Sequence, residues 1–199
     1  MIYLASKSPR RTELLQQVGV EHQILDIEVD ENINSSNSPQ ENVRALSVLK
    51  CQEGVRKVIT EEMPFFPVLA ADTIVVLGDK IFGKPESESD AIAMLLKLSN
   101  NTHIVITAVT LGIINKEQAK FHTISVSSNV EFAKLTEDDC NEYCKTHEPF
   151  DKAGSYGIQG YGSAFIKKIN GSYSNIVGLP IHEVVELLKE LKISYWNRK

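Results

Sequence analysis

Residues 68–77 read Val-Leu-Ala-Ala-Asp-Thr-Ile-Val-Val-Leu. A run this apolar and β-branched has the character of a buried strand, and the Gly78-Asp79 pair behind it is a turn signal. One polar residue interrupts the apolar half of the run. A carboxylate buried there without a partner costs several kcal/mol, so Asp72 needs a cation, a metal or a reaction to justify it. The plainer alternative is that Asp72 ends the strand and turns into solvent, or caps a backbone group.

The flanking pattern alternates strands and helices. Met1 to Ala5 reads as a short strand, followed by Ser8 at an N-cap, Pro9 at the first helical position and a helix through Leu14, Leu15 and Val18 that Gly19 stops. Glu21 to Ile27 reads as a strand, 29–40 as a polar loop, and Gln40 to Val58 as a helix with Val43, Leu46, Leu49 and Val55 on its apolar stripe. Ser87 caps a helix through Leu98, with Asp90 in the capping position. Strands follow over His103–Ile114 and Phe121–Phe132, joined through Asn115-Lys116. Thr136 and Asp139 open a helix to about Lys145, Ala164 to Ile169 is a short strand, and Pro180 starts the last helix, with Ile181, Val184, Val185, Leu188 and Leu191 on its apolar face. No strict βαβ rhythm and no internal repeat is present, which predicts a mixed α/β sheet.

Charge and composition narrow the function. The net charge of −5 argues against broad nucleic-acid binding, though a local basic cluster can still hold a small anion. The three cysteines form no CxxC pair and no even disulfide framework, which fits a reduced compartment. No signal-peptide pattern and no apolar run of membrane-spanning length is seen, so the expected location is cytoplasmic. The five histidines lack ligand spacing and read as surface or satisfied core residues. Ser6 and Ser8 have no His/Asp pattern of a serine nucleophile.

Three further stretches carry chemistry. Arg10 and Arg11 sit in the first turn of a helix, where the dipole is already positive. Gly83-Lys84-Pro85 holds a lysine in a tight turn, and Lys50 lies on a helix; each also reads as a solvated charge. Glu148 to Gly162, "EPFDKAGSYGIQGYG", is glycine-rich and holds Lys152 and Gln159. Its glycines would let backbone amides approach an anion or a planar base, or it is a structural loop. Cations at a helix N-terminus make sense when an anion binds there, so the arginines point to a polyphosphate.

The segments "LASKSPRR", "ADTIV", "FGKP", "DKAGSYGIQG" and "NIVGLP", in order from Leu4 to Pro180, closely resemble the Maf proteins, nucleotide pyrophosphatases once named for a link to septum formation. The resemblance implies a single domain over 1–199, with a mixed, elongated, curved sheet flanked by helices in two lobes around an active-site cleft, like the inosine triphosphate pyrophosphatases. It implies metal-dependent hydrolysis of a nucleoside triphosphate to the monophosphate and pyrophosphate. Asp72 matches the proton acceptor. Arg10, Thr73 and Gln159 match the base-specificity positions. Ser8, Arg11, Lys50, Lys84 and Lys152 are the expected phosphate contacts, and Asp72 and Glu31 the expected ligands of Mg²⁺ or Mn²⁺.

Thr73 and Gln159 resemble the branch acting on dTTP and UTP; Gln and Glu at those places mark a branch that prefers 7-methyl-GTP. A glutamine amide both donates and accepts, which suits the O4/N3–H edge of uracil or thymine. Two departures stand out. "VRALSVLKC" lacks the usual order before Lys50, and Asn100 stands where the family usually has glycine. A homodimer is expected from the family and from symmetry statistics. The competing readings are a nucleotide-sensing regulator of septum formation, a 7-methyl-GTP pyrophosphatase and an enzyme for damaged purine nucleotides.

Overall fold

The structure is a computed structural model describing residues 1–31, 37–115 and 118–197. Residues 32–36 of the expected polar loop at 29–40, and Lys116 of the expected Asn115-Lys116 turn, lie outside the described residues. The elements in chain order are β1 (Ile2–Leu4), α1 (Pro9–Gln17), β2 (His22–Ile24), α2 (Pro39–Thr60), β3 (Val68–Leu77), β4 (Lys80–Phe82), α3 (Glu88–Leu98), β5 (Thr102–Ile114), β6 (Ala119–Phe132), α4 (Glu137–Cys144), β7 (Ile166–Asn170), α5 (Tyr173–Val177) and α6 (Ile181–Glu190). The strand order is β2-β1-β3-β5-β6-β7, with β4 paired to β3. β1 is parallel to β2 and β3, while β3–β4 and β6–β7 are antiparallel. This is the mixed α/β sheet that the sequence implies.

The chain forms two compact units. The first comprises Met1–Asp72, Thr107–Val126 and Gly178–Lys199. Its core joins Tyr3, Leu25, Val55, Val58 and Val68. The second comprises Thr73–Ile106 and Ser127–Val177. Leu95, Leu98, Val130, Phe132 and Tyr156 pack its core.

Local signals account for the helix starts. Ser38 and Glu41 close a reciprocal capping box on α2, and Thr136 and Asp139 do the same on α4. The Ser87 hydroxyl accepts from the Asp90 N–H as expected, but the Asp90 carboxylate accepts from the Glu86 N–H rather than from Ser87. Ser8 occupies the N-cap of α1 without a side-chain capping bond. Three expectations need correction. β2 is shorter than Glu21–Ile27, because its partner β1 ends at Leu4, whose carbonyl takes a last bond from the Leu25 N–H. Leu49 faces solvent rather than lying on the apolar stripe of α2. Ala164 and Phe165, expected in a strand, belong to a 3-10 turn, and β7 begins only at Ile166.

Candidate active site

Asp72 stands in the middle of β3 and is only 8% exposed, which rules out a solvated strand end. Its partner comes from α2. The Lys50 ammonium donates to Asp72 Oδ1 at 2.6 Å and pairs with Glu31 Oε1 at 2.8 Å. Lys50 is therefore not a surface charge; its side chain is 12% exposed, against 54% for Glu31.

Several contacts hold α2 where Lys50 can make this bridge. One turn before it, the Ser47 and Thr110 hydroxyls bond at 2.8 Å, and Thr110 continues to Thr123 at 3.0 Å. Beside it, the Cys51 thiol donates to the Val68 carbonyl, and burial pushes that thiol up to about 12, so it stays protonated. One turn after it, Gly54 lets the helix lie against the sheet, since a Cβ there would come within 2.8 Å of Val68 Cγ1 and 3.2 Å of Ala5 Cβ. A mid-helix glycine costs about 1 kcal/mol relative to alanine, and the close approach explains its use.

Arg11, also in the first unit, is half-buried. Its Nε donates to the Gly178 carbonyl at 2.9 Å and its Nη1 to Ser6 Oγ at 3.0 Å, while Ser6 Oγ also accepts from the Ser8 N–H. Burial pulls the guanidinium below its usual range, Asp72 and Glu31 oppose that shift, and Arg10 adds to it. The first unit thus concentrates Arg10, Arg11, Lys50, Glu31 and Asp72 in one electrostatic neighbourhood. Lys50 brings one oxygen of each carboxylate to a single cation. Two hard oxygen donors converging on a positive charge fit a divalent ion as well as an ammonium. Among the described residues, no three His, Cys, Asp or Glu side chains gather as a ready-made cage, so substrate and water would complete such a site.

The second unit carries the other expected residues. Thr73 follows Asp72 on β3 and is half-buried. Lys84 is exposed just after β4, and the adjoining Gly83 carbonyl accepts from the Gly154 N–H. Lys152 donates to the Glu148 carbonyl at 2.7 Å and to Asp151 at 2.6 Å. Gln159 is exposed at the tip of the 157–162 turn.

The glycine-rich stretch does bring backbone amides to an anion, but that anion is the chain's own Glu148. Oε1 accepts from the Tyr143 hydroxyl at 2.8 Å and the Gly162 N–H at 3.1 Å, and Oε2 accepts from the Tyr161 N–H at 2.8 Å. The Tyr143 oxygen in turn accepts from the Gly157 N–H at 3.1 Å. Burial and the bond to Glu148 push the Tyr143 phenol up, so it remains a donor. A Cβ at Gly160 would collide with the Glu148 carboxylate, and one at Gly162 would lie 2.7 Å from the Tyr143 oxygen. The glycine spacing was the available signal for this arrangement; Tyr143 and Ser6 gave none.

His103 departs from its expectation as a satisfied core residue. It is fully buried, with Nε2 2.7 Å from the Tyr156 hydroxyl, while Nδ1 has no hydrogen-bond partner among the described residues. Burial drives its pKa down to about 4, so the ring stays neutral.

Comparison with known proteins agrees along the whole chain. The family described as Maf-like protein matches residues 1–191. The dTTP/UTP pyrophosphatase of Ralstonia nicotianae is 42% identical over 199 residues, spanning 97% of this chain and 95% of that protein. The dTTP/UTP pyrophosphatase of Saccharophagus degradans is 40% identical over 196 residues, spanning 98% and 91%. That of Caldicellulosiruptor bescii is 42% identical over 190 residues, spanning 96% and 94%. Carrying the family's sequence from end to end on a mixed α/β sheet, this chain belongs to the Maf family.

Proposed function

We propose that this protein is a nucleoside triphosphate pyrophosphatase that hydrolyses dTTP and UTP to the monophosphate and pyrophosphate, keeping the nucleotide pool clean. The observation that carries the reading is Asp72, a carboxylate inside a buried strand and bonded to Lys50, in a chain similar throughout to dTTP/UTP pyrophosphatases. In this reading Asp72 takes the proton of the attacking water as the α–β anhydride bond breaks. Lys50 holds the carboxylate in place. Ser8, Arg11, Lys84 and Lys152 contact the phosphates, where fixed positive charge stabilises the charge that develops on the leaving pyrophosphate. Arg10, Thr73 and Gln159 select the base, the Gln159 amide meeting both the acceptor and the donor of a pyrimidine edge.

Asp72 and Glu31 would hold Mg²⁺ or Mn²⁺, which when bound neutralises phosphate charge and polarises the scissile anhydride. In the same reading the enzyme acts as a single domain, in the cytoplasm, as a homodimer, on free nucleotides rather than nucleic acid or membranes. No helix among the described residues is long and apolar enough to cross a membrane.

The test is pyrophosphate release from canonical and modified nucleoside triphosphates with Mg²⁺ or Mn²⁺, before and after chelation. Turnover confined to dTTP and UTP, and stopped by the chelator, supports the reading. Turnover of 7-methyl-GTP or of damaged purines overturns the assignment of Thr73 and Gln159. Tight nucleotide binding without any turnover favours the regulator of septum formation.

A further inference from the structure

The 157–162 turn is held at both ends by one pair of side chains. At its start the Gly157 N–H donates to the Tyr143 oxygen, and at its finish the Tyr161 and Gly162 N–H groups donate to the Glu148 carboxylate. The Tyr143 hydroxyl donates to that same carboxylate, so the two anchors are one connected unit. Gln159 lies between them, exposed, and its amide makes no hydrogen bond among the described residues. Nothing in its own side chain fixes where it points; the backbone of the turn does.

The anchor is itself fastened. The Glu148 N–H donates to Thr146 Oγ1 at 3.2 Å, its carbonyl accepts from Lys152, and Tyr143 sits on α4 with its ring edge-on to Phe165 at 4.9 Å. The glycines complete the fit, because any side chain at Gly157, Gly160 or Gly162 would press on Glu148, Lys152 or Tyr143. A carboxylate taking three neutral donors has its charge dispersed over groups that cannot rearrange independently.

We propose that Glu148, with Tyr143 bridging it to Gly157, is a positioning residue for base selection, holding the turn that presents Gln159 to the nucleobase. The proposal rests on the dTTP/UTP reading of the site. The Glu148 carboxylate is engaged by Tyr143, Tyr161 and Gly162, so its loss acts through the turn and hence through Gln159. Misplacing a recognition group by about 1 Å is enough to cost on the order of a hundredfold in a well-oriented site.

The experiment measures kcat and KM for dTTP and for GTP in the wild type and in the Glu148→Ala, Glu148→Gln, Tyr143→Phe and Gln159→Ala variants, with thermal melting of each. The expected result is a loss of about tenfold or more in dTTP-over-GTP preference for Glu148→Ala, carried mainly by a higher KM for dTTP. Glu148→Gln and Tyr143→Phe should lose less, because each keeps part of the network. The Glu148→Ala/Gln159→Ala double variant should be no less selective than Gln159→Ala alone, since both act through one amide. A Glu148→Ala or Tyr143→Phe protein that keeps wild-type preference overturns the proposal, as does a fall in kcat for both nucleotides with preference unchanged. Should Glu148→Ala fail to fold, the two milder variants decide the matter by the same criterion. A wild type with no preference for dTTP removes the underlying reading, and the proposal falls with it.

Discussion

Two carboxylates in this molecule are held in opposite ways. In the first unit, Asp72 is bonded to the Lys50 ammonium, which it shares with Glu31. In the second unit, Glu148 accepts from a phenol and two backbone N–H groups. A charged partner on a flexible stem can shift as protons and phosphates come and go. Backbone donors and a buried phenol cannot, and what they hold is geometry. The same contrast runs through the buried polar groups around them. The first unit keeps the half-buried cations Lys50 and Arg11 near Asp72, whereas the second buries the neutral His103 and Tyr156 as a bonded pair.

The strongest way to break this comparison is to neutralise the charged site. Asp72→Asn should lower turnover by about 10²–10⁴-fold, the range for removal of a general base, while leaving the thermal transition near that of the wild type. Pyrophosphate release from dTTP reads the first effect and circular dichroism the second. An active variant would make Asp72 a structural residue like Glu148.

Removing the cation instead should register as stability. Lys50→Met leaves Asp72 in a buried strand without its partner, and urea unfolding should show a loss of about 3 kcal/mol. Adding Asp72→Asn should restore most of it. Equal stability of Lys50→Met and wild type would show that the pair contributes nothing net to the fold.

The neutral side of the comparison is sharpened by pH. His103 has its pKa lowered to about 4 in the folded chain, against 6.5 ordinarily. The unfolded chain therefore binds the extra proton between those values, and stability present above pH 6.5 is lost as pH falls toward 4. The loss should reach about 3 kcal/mol and then level off. His103→Leu should flatten this part of the stability–pH curve, although leaving the Tyr156 hydroxyl without its partner lowers the curve as a whole. An unchanged slope would mean that His103 titrates normally.

The smallest effect belongs to Asn100, just past the end of α3. Asn100 is where the family resemblance leads one to expect glycine, and its φ of 56° lies in the left-handed region that Gly and Asn adopt most readily. Asn100→Gly should change stability by no more than about 0.5 kcal/mol, and Asn100→Ala should cost about 1 kcal/mol. Differential scanning calorimetry would separate the two. A large gain from glycine would mean that the departure is a real strain.

Local chemistry made much of the fold legible. The caps at Ser87 and Thr136 are read correctly because their partners lie three residues away. The Gly78-Asp79 turn, the apolar run of β3 and the β-rich stretches of β5 and β6 likewise declare themselves within a few residues. The short α5 was not visible, because five residues are too few to show a period. Asp72 could be singled out as needing a partner, yet Lys50 lies 22 residues before it on another element. The glycines of 157–162 announced a close approach without saying to what.

By itself, the sequence determined the kinds of elements, the family, and the presence of one carboxylate too costly to bury alone. Tertiary structure decided which groups met. It paired Asp72 with Lys50 and Glu31, turned Arg11 onto the Gly178 carbonyl, and gave the amides of the glycine turn to Glu148, 13 and 14 residues upstream. The physical reason is one of range. Caps, turns and hydrophobic periods depend on neighbours a few residues apart, so composition and spacing carry them. The partner of a buried charge depends on how helices dock on the sheet, and that is fixed only when the core packs.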